Sequence, residues 1–143
     1  MVAKRAYEIY LRGCGIKRMG HNLKSSMNRA LTQVIREGRI VAEDELAKGG
    51  VLFSIVRVKG TPPIRLRNRG PRAFEDIPPS ELQLVARYLM ERHGVPSGSK
   101  AHLRAVLDCF DLKRLTTKVD SALRDILERR FPHVDEVLGG LGK

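Results

Sequence analysis

The stretch Lys24–Glu37, KSSMNRALTQVIRE, places Met27, Ala30, Leu31, Val34 and Ile35 at the i, i+3, i+4, i+7, i+8 spacing of a helix that buries one stripe. Its other face carries Lys24, Ser25, Asn28, Arg29, Thr32 and Arg36, with no acid before Glu37. Short polar and basic side chains on a free helix face suit insertion into a DNA groove. The solvated face of any surface helix in a basic protein reads the same way, so this stretch alone leaves both readings open.

An internal echo favours the first. Residues 116–127, TTKVDSALRDIL, align without gaps on residues 24–35, so that Val119, Ala122, Leu123, Ile126 and Leu127 fall on Met27, Ala30, Leu31, Val34 and Ile35. Upstream, Leu112-Lys113-Arg114-Leu115 repeats Ile16-Lys17-Arg18-Met19, with four extra residues in the first copy on this alignment. Tyr7 and Tyr10 match Leu103 and Val106 in a preceding helix. Helix, short Lys-Arg turn, helix therefore occurs twice, as in a duplicated helix-turn-helix.

Around the organising helix, residues 2–12 form a helix with Val2, Ala6, Tyr7, Ile9 and Tyr10 inward, ended by Gly13 and Gly15. The turn 16–22 leads into the second helix, with Asn22 or Ser25 as its cap. Such a turn lies close to the phosphate backbone, so Lys17, Arg18 and His21 are candidate phosphate contacts. Residues 39–42 and 51–59 read as two strands of a β-ribbon, the wing of a winged helix. Pro62-Pro63 ends it, and Ile64-Arg65-Leu66-Arg67-Asn68-Arg69 alternates apolar with basic.

Between Glu45 and Glu75 there is no acid, while Lys48, Arg57, Lys59, Arg65, Arg67, Arg69 and Arg72 are all present. Residues 1–76 hold 16 Lys and Arg against 7 Asp and Glu, whereas residues 77–143 hold 11 against 9, so the net charge of +11 belongs mainly to the first half. That imbalance points to a polyanionic partner, nucleic acid ahead of membrane, since no apolar anchoring helix accompanies it. An arginine-rich linker docked on an acidic domain is the competing reading.

The second half reads as three helices: 80–93, with Leu82, Val85, Ala86, Leu89 and Met90 inward; about 100–110; and 117–130, opened by a capping box from Thr117 to Asp120 and stopped by Pro132. The tail from Gly139 is expected to fray. The expected organisation is a partial winged-helix unit over 1–60, an arginine- and proline-rich linker over 61–79 and a three-helix unit over 80–138. The fold class is mainly α with a small β-ribbon (α+β). The first unit lacks a leading helix and the second lacks a wing, which suggests a C-terminal piece of a longer polypeptide, or a protein completed by another chain or by homodimerisation.

Val2-Ala3-Lys4-Arg5, Gly15-Ile16-Lys17-Arg18-Met19-Gly20, the helix to Ala30-Leu31, Gly38-Arg39-Ile40, Pro62-Pro63-Ile64-Arg65-Leu66-Arg67 and Ile77-Pro78-Pro79-Ser80-Glu81-Leu82 resemble the winged-helix region near the C-terminus of large bacterial superfamily 1 helicase-related proteins. Those proteins carry an endonuclease-like domain upstream. The resemblance covers most of residues 2–90 and implies a DNA-binding module accessory to a helicase- or nuclease-type protein, with the rest of that protein among its partners. The family's ATPase and nuclease motifs are not in this sequence.

Catalysis finds no support. Gly94-Val95-Pro96-Ser97-Gly98-Ser99-Lys100 has the wrong spacing for a phosphate-binding loop and follows a helix rather than a strand. His21, His93, His102 and His133 lack metal-ligand spacing and read as surface residues, and Glu43-Asp44-Glu45 reads as loop charge. Cys14 and Cys109 read as small buried apolar residues or inert thiols. With no signal-peptide-like start and no long apolar run, the expected compartment is the cytoplasm, with no membrane partner and no cofactor. Two functions remain. One is binding to DNA, duplex favoured, through Lys17, Arg18, His21, Lys24, Ser25, Asn28, Arg29, Thr32, Arg36, Arg57, Lys59, Arg65, Arg67 and Arg69. The other is a protein-interaction or dimerisation module without DNA contact.

Overall fold

The computed structural model describes residues 1–141 and divides into two compact units, Met1–Pro62 and Pro63–Lys143. Among the described residues the chain is mainly helical with one two-stranded antiparallel sheet, an α+β composition.

In the first unit, α1 (Ala3–Gly13) leads through a tight turn to α2 (His21–Arg36), and β1 (Ile40–Glu43) pairs antiparallel with β2 (Ile55–Val58), Ile40 opposite Val58 and Glu43 opposite Ile55. The N-terminal residues extend the ribbon: Val2 bridges Ile55, Val56 N–H donates to Met1 O at 2.8 Å, and Ala3 N–H donates to Ser54 O at 2.9 Å. Only 55–58 of the expected 51–59 strand is extended, because Gly49 and Gly50 adopt positive φ and Ser54 N–H closes a turn onto Val51 O.

Several expectations for this unit are corrected. Helix α2 starts at His21 behind Gly20, and neither Asn22 nor Ser25 caps it. No α2 residue is fully buried: Met27, Leu31, Val34 and Ile35 are half-buried and Ala30 is exposed, because no described element covers that side. On α1, Tyr7 and Leu11 are buried, but Ile9 and Tyr10, expected inward, are exposed.

The second unit is built around α3 (Pro79–His93), which packs against α4 (Lys100–Cys109), α5 (Thr117–Glu128) and α6 (Pro132–Leu141). Leu82, Leu84, Ala86, Leu103, Val106, Leu107, Phe110, Leu123, Ile126 and Val134 form its aliphatic core. Ile64 and Ile77 join that core, so most of the 61–79 stretch is part of this unit and not a spacer. Gln83 Nε2 donates to Ile126 O at 2.8 Å and Arg129 O at 2.6 Å, satisfying carbonyls left open at the end of α5.

His102, expected at the surface, is fully buried: Gly98 N–H donates to its Nδ1 at 3.0 Å, so its Nε2 donates to Ala86 O at 2.8 Å. Both cysteines are free and exposed, which overturns the buried alternative for them. Thr116, not Thr117, caps α5 by accepting from Val119 N–H at 3.2 Å. The expected frayed tail is helical through Leu141, because Val134, Val137 and Leu138 pack into the core and outweigh the poor helix propensity of Gly139 and Gly140. Gly142 and Lys143 lie outside the described residues.

The duplication is visible in backbone geometry, without the four-residue gap of the sequence alignment. After α1, Gly15 (φ 79°) donates to Arg12 O at 3.0 Å and Ile16 N–H to Leu11 O at 2.9 Å. After α4, Asp111 (φ 52°) donates to Asp108 O at 3.0 Å and Leu112 N–H to Leu107 O at 2.9 Å. Both are Schellman ends with a left-handed residue followed by an apolar one. Both turns then run five residues to a helix starting at His21 or Thr117, so the constant spacing makes Gly20 the counterpart of Thr116.

Candidate nucleic-acid interface

With about 3.6 residues per turn, α2 is rotated relative to its apolar stripe. Lys24, Ser25, Asn28 and Thr32, expected on the free face, are half-buried, and Thr32 Oγ1 donates to Asn28 O at 2.7 Å. The outward face holds Ser26, Arg29, Ala30, Gln33 and Arg36, which with Thr32 line a shallow groove. Ser26 and Gln33 escaped the sequence reading because apolar spacing assigned the wrong arc to solvent. Only the tertiary position of β1 sets the true arc.

Lys17 and Arg18 are exposed in the turn, and His21 is exposed at the start of α2. None of Lys17, Arg18, Lys24, Arg29, Arg36 and Lys59 meets a carboxylate among the described residues. The sequence explains why: residues 1–36 contain eight Lys and Arg and a single acid, Glu8, which pairs with Lys4 at 3.3 Å.

The remaining arginines behave differently. Arg57 is held inside the ribbon, with Nη1 donating to Thr61 O at 3.2 Å and Nη2 3.7 Å from Glu43. Arg67 lies 3.8 Å from Glu81, and Arg69 donates to Phe110 O at 3.0 Å and Arg72 O at 3.1 Å. Arg65 is exposed and makes no ion pair among the described residues. The expected arginine stripe over 65–69 is therefore largely structural: two of its three members bond the second unit's own acceptors.

Chain comparison adds no relative. No protein-family model, curated protein or solved structure matches this chain.

The acidic loop is likewise accounted for internally: Asp44 accepts from Lys48 N–H at 3.2 Å and Gly49 N–H at 3.1 Å, and Glu43 faces Arg57. Among the described residues no group of three His, Cys, Asp or Glu is placed to hold a metal ion, and no helix is long and apolar enough to cross a membrane. Gly94–Lys100 serves as a helix entry, with Ser99 Oγ accepting from His102 N–H at 3.0 Å.

Proposed function

We propose that the first unit is a non-catalytic winged-helix-type module that binds duplex DNA mainly through phosphates, as an accessory part of a helicase- or nuclease-type protein. One observation carries this reading: the cations of the turn and α2 lack carboxylate partners among the described residues, while many in the second unit are paired. There Arg72 meets Glu81, Arg87 meets Asp135 and Glu91, Arg104 meets Asp108, and Arg124 meets Asp120. Unpaired cations on one helix-turn-helix are available to displace counterions from DNA.

The element order supports the same reading. A short bridge at Val2, a helix, a turn, a helix and a hairpin correspond to a winged helix without its first helix. Arg29, Gln33, Ser26 and Arg36 face the groove, and Lys17, Arg18 and His21 hold the backbone; Lys59 extends the contact along the ribbon.

The test is a titration of the whole chain against duplex and single-stranded DNA at two salt concentrations. Duplex binding that weakens with salt, and that Lys17→Ala with Arg18→Ala and Arg29→Ala reduces, supports the proposal. Absence of binding at low salt refutes it. The competing protein-interaction reading draws on the exposed apolar residues Ile9, Tyr10, Ile16 and Leu23.

A further inference from the structure

The duplication permits a residue-by-residue comparison of what each helix pair buries. Counting from the shared turn, Tyr10 corresponds to Val106, Ile16 to Leu112, Leu23 to Val119 and Ala30 to Ile126. Val106 is 0% exposed and Ile126 is 7% exposed, whereas Tyr10 is 65% exposed and Ala30 is open to solvent. Leu112 and Val119 pack against the second unit's core, while Ile16 and Leu23 lie exposed in the first.

The element that makes this difference is α3. Its Leu82, Leu84 and Ala86 share one core cluster with Val106 and Ile126, and its Gln83 bonds the Ile126 carbonyl. Nothing among the described residues plays that part for α1 and α2.

We propose that the apolar face formed by Tyr10, Ile16 and Leu23 docks an acidic amphipathic helix of a separate polypeptide, in the position that α3 occupies in the second unit. A helix laying its apolar stripe into such a surface is a common recognition mode. Charge selects its chemistry. Eight cations stand against one acid over residues 1–36, and Arg12, near the end of α1, meets no carboxylate among the described residues. A second copy is disfavoured on the same ground, since it would bring two strongly basic surfaces together. Its α3, the helix of matching role, is already packed in its own core. DNA does not satisfy this face either, because phosphates leave apolar surface uncovered.

The probe is a fluorescent 15-residue peptide with the sequence of Pro79–His93 in which Arg87→Glu, Arg92→Glu and His93→Glu make the outer face acidic. Anisotropy titration against the full chain is expected to saturate, to weaken with added salt and to require the apolar stripe. Tyr10→Ser with Leu23→Ser, both exposed and so compatible with folding, should weaken peptide binding at least tenfold. Tyr10→Ser alone should leave duplex DNA binding unchanged, which separates this surface from the proposed DNA face. Four results overturn the proposal: no saturable binding, equal binding of a scrambled peptide of the same composition, full affinity in the Tyr10→Ser/Leu23→Ser variant, or sedimentation as a dimer that Tyr10→Ser dissolves.

Discussion

Arg72 Nη1 lies 3.2 and 3.1 Å from the two carboxylate oxygens of Glu81, and both side chains are 4% exposed. The guanidinium also donates to the carbonyls of Arg67 at 3.3 Å and Arg69 at 3.3 Å, tying the arginine- and proline-rich stretch to the start of α3. What looks in sequence like the most cationic, DNA-ready segment is thus partly an internal fastening.

Removing one partner of such a pair leaves a buried charge alone. Arg72→Met is expected to destabilise the protein by about 3–5 kcal/mol at neutral pH, read by urea denaturation. Burial pushes the Glu81 carboxyl above its ordinary range, while Arg72 and then Arg67 pull it back. A raised folded-state pKa means the folded chain takes up a proton more readily than the unfolded one. The associated stability is full below the ordinary glutamate range and is lost as pH rises through the raised value. Without Arg72 the carboxyl rises further, so the deficit of Arg72→Met should shrink on acidification. A deficit independent of pH would show that Glu81 is not the group left stranded.

DNA binding should divide the arginines sharply. Lys17→Ala with Arg18→Ala should lower the slope of log K against log salt by about 2, near 0.9 per lost phosphate contact. Arg69→Ala should leave that slope unchanged and lower stability instead, since its guanidinium bonds two backbone carbonyls. Equal slope changes for both variants would contradict the division drawn here.

The two Schellman ends differ only in the left-handed residue. Gly15 at φ 79° adopts that conformation freely, whereas Asp111 at φ 52° does so at a cost. Gly15→Val should cost about 1–2 kcal/mol, and Asp111→Gly should be neutral or stabilise by up to about 1 kcal/mol. Thermal unfolding of the two variants checks this, with opposite or unequal shifts expected.

Gln83 replaces backbone partners that α5 cannot supply for itself. Gln83→Leu fills similar space but leaves the carbonyls of Ile126 and Arg129 without their donor, costing about 1–3 kcal/mol in chemical denaturation. A loss confined to a few tenths would mean that water takes over both carbonyls.

Helix positions and the duplicated turn were legible in the sequence because they depend on local rules. Apolar residues three and four apart mark α2, α4 and α5, and the shared Ile16-Lys17-Arg18-Met19 and Leu112-Lys113-Arg114-Leu115 element marks both turns. The phase of α2 was not legible. Its apolar stripe is wide enough to allow two rotations, and the neighbouring ribbon selects the one that half-buries Lys24, Asn28 and Thr32. Helix α6 was missed for the opposite reason: its glycines argue against a helix locally, and burial of Val134 overrides them.

By itself, then, the amino-acid order determined helices α1 to α5, the presence of a repeat and the excess of cations over the first 36 residues, since each follows from composition or short-range spacing. Which acids fasten the arginines of the second unit was decided only in three dimensions. Glu81 and Asp135 reach arginines nine and 48 residues away, and no spacing rule joins groups so far apart. Among the described residues, folding brings no carboxylate to Lys17, Arg18, Arg29 and Arg36.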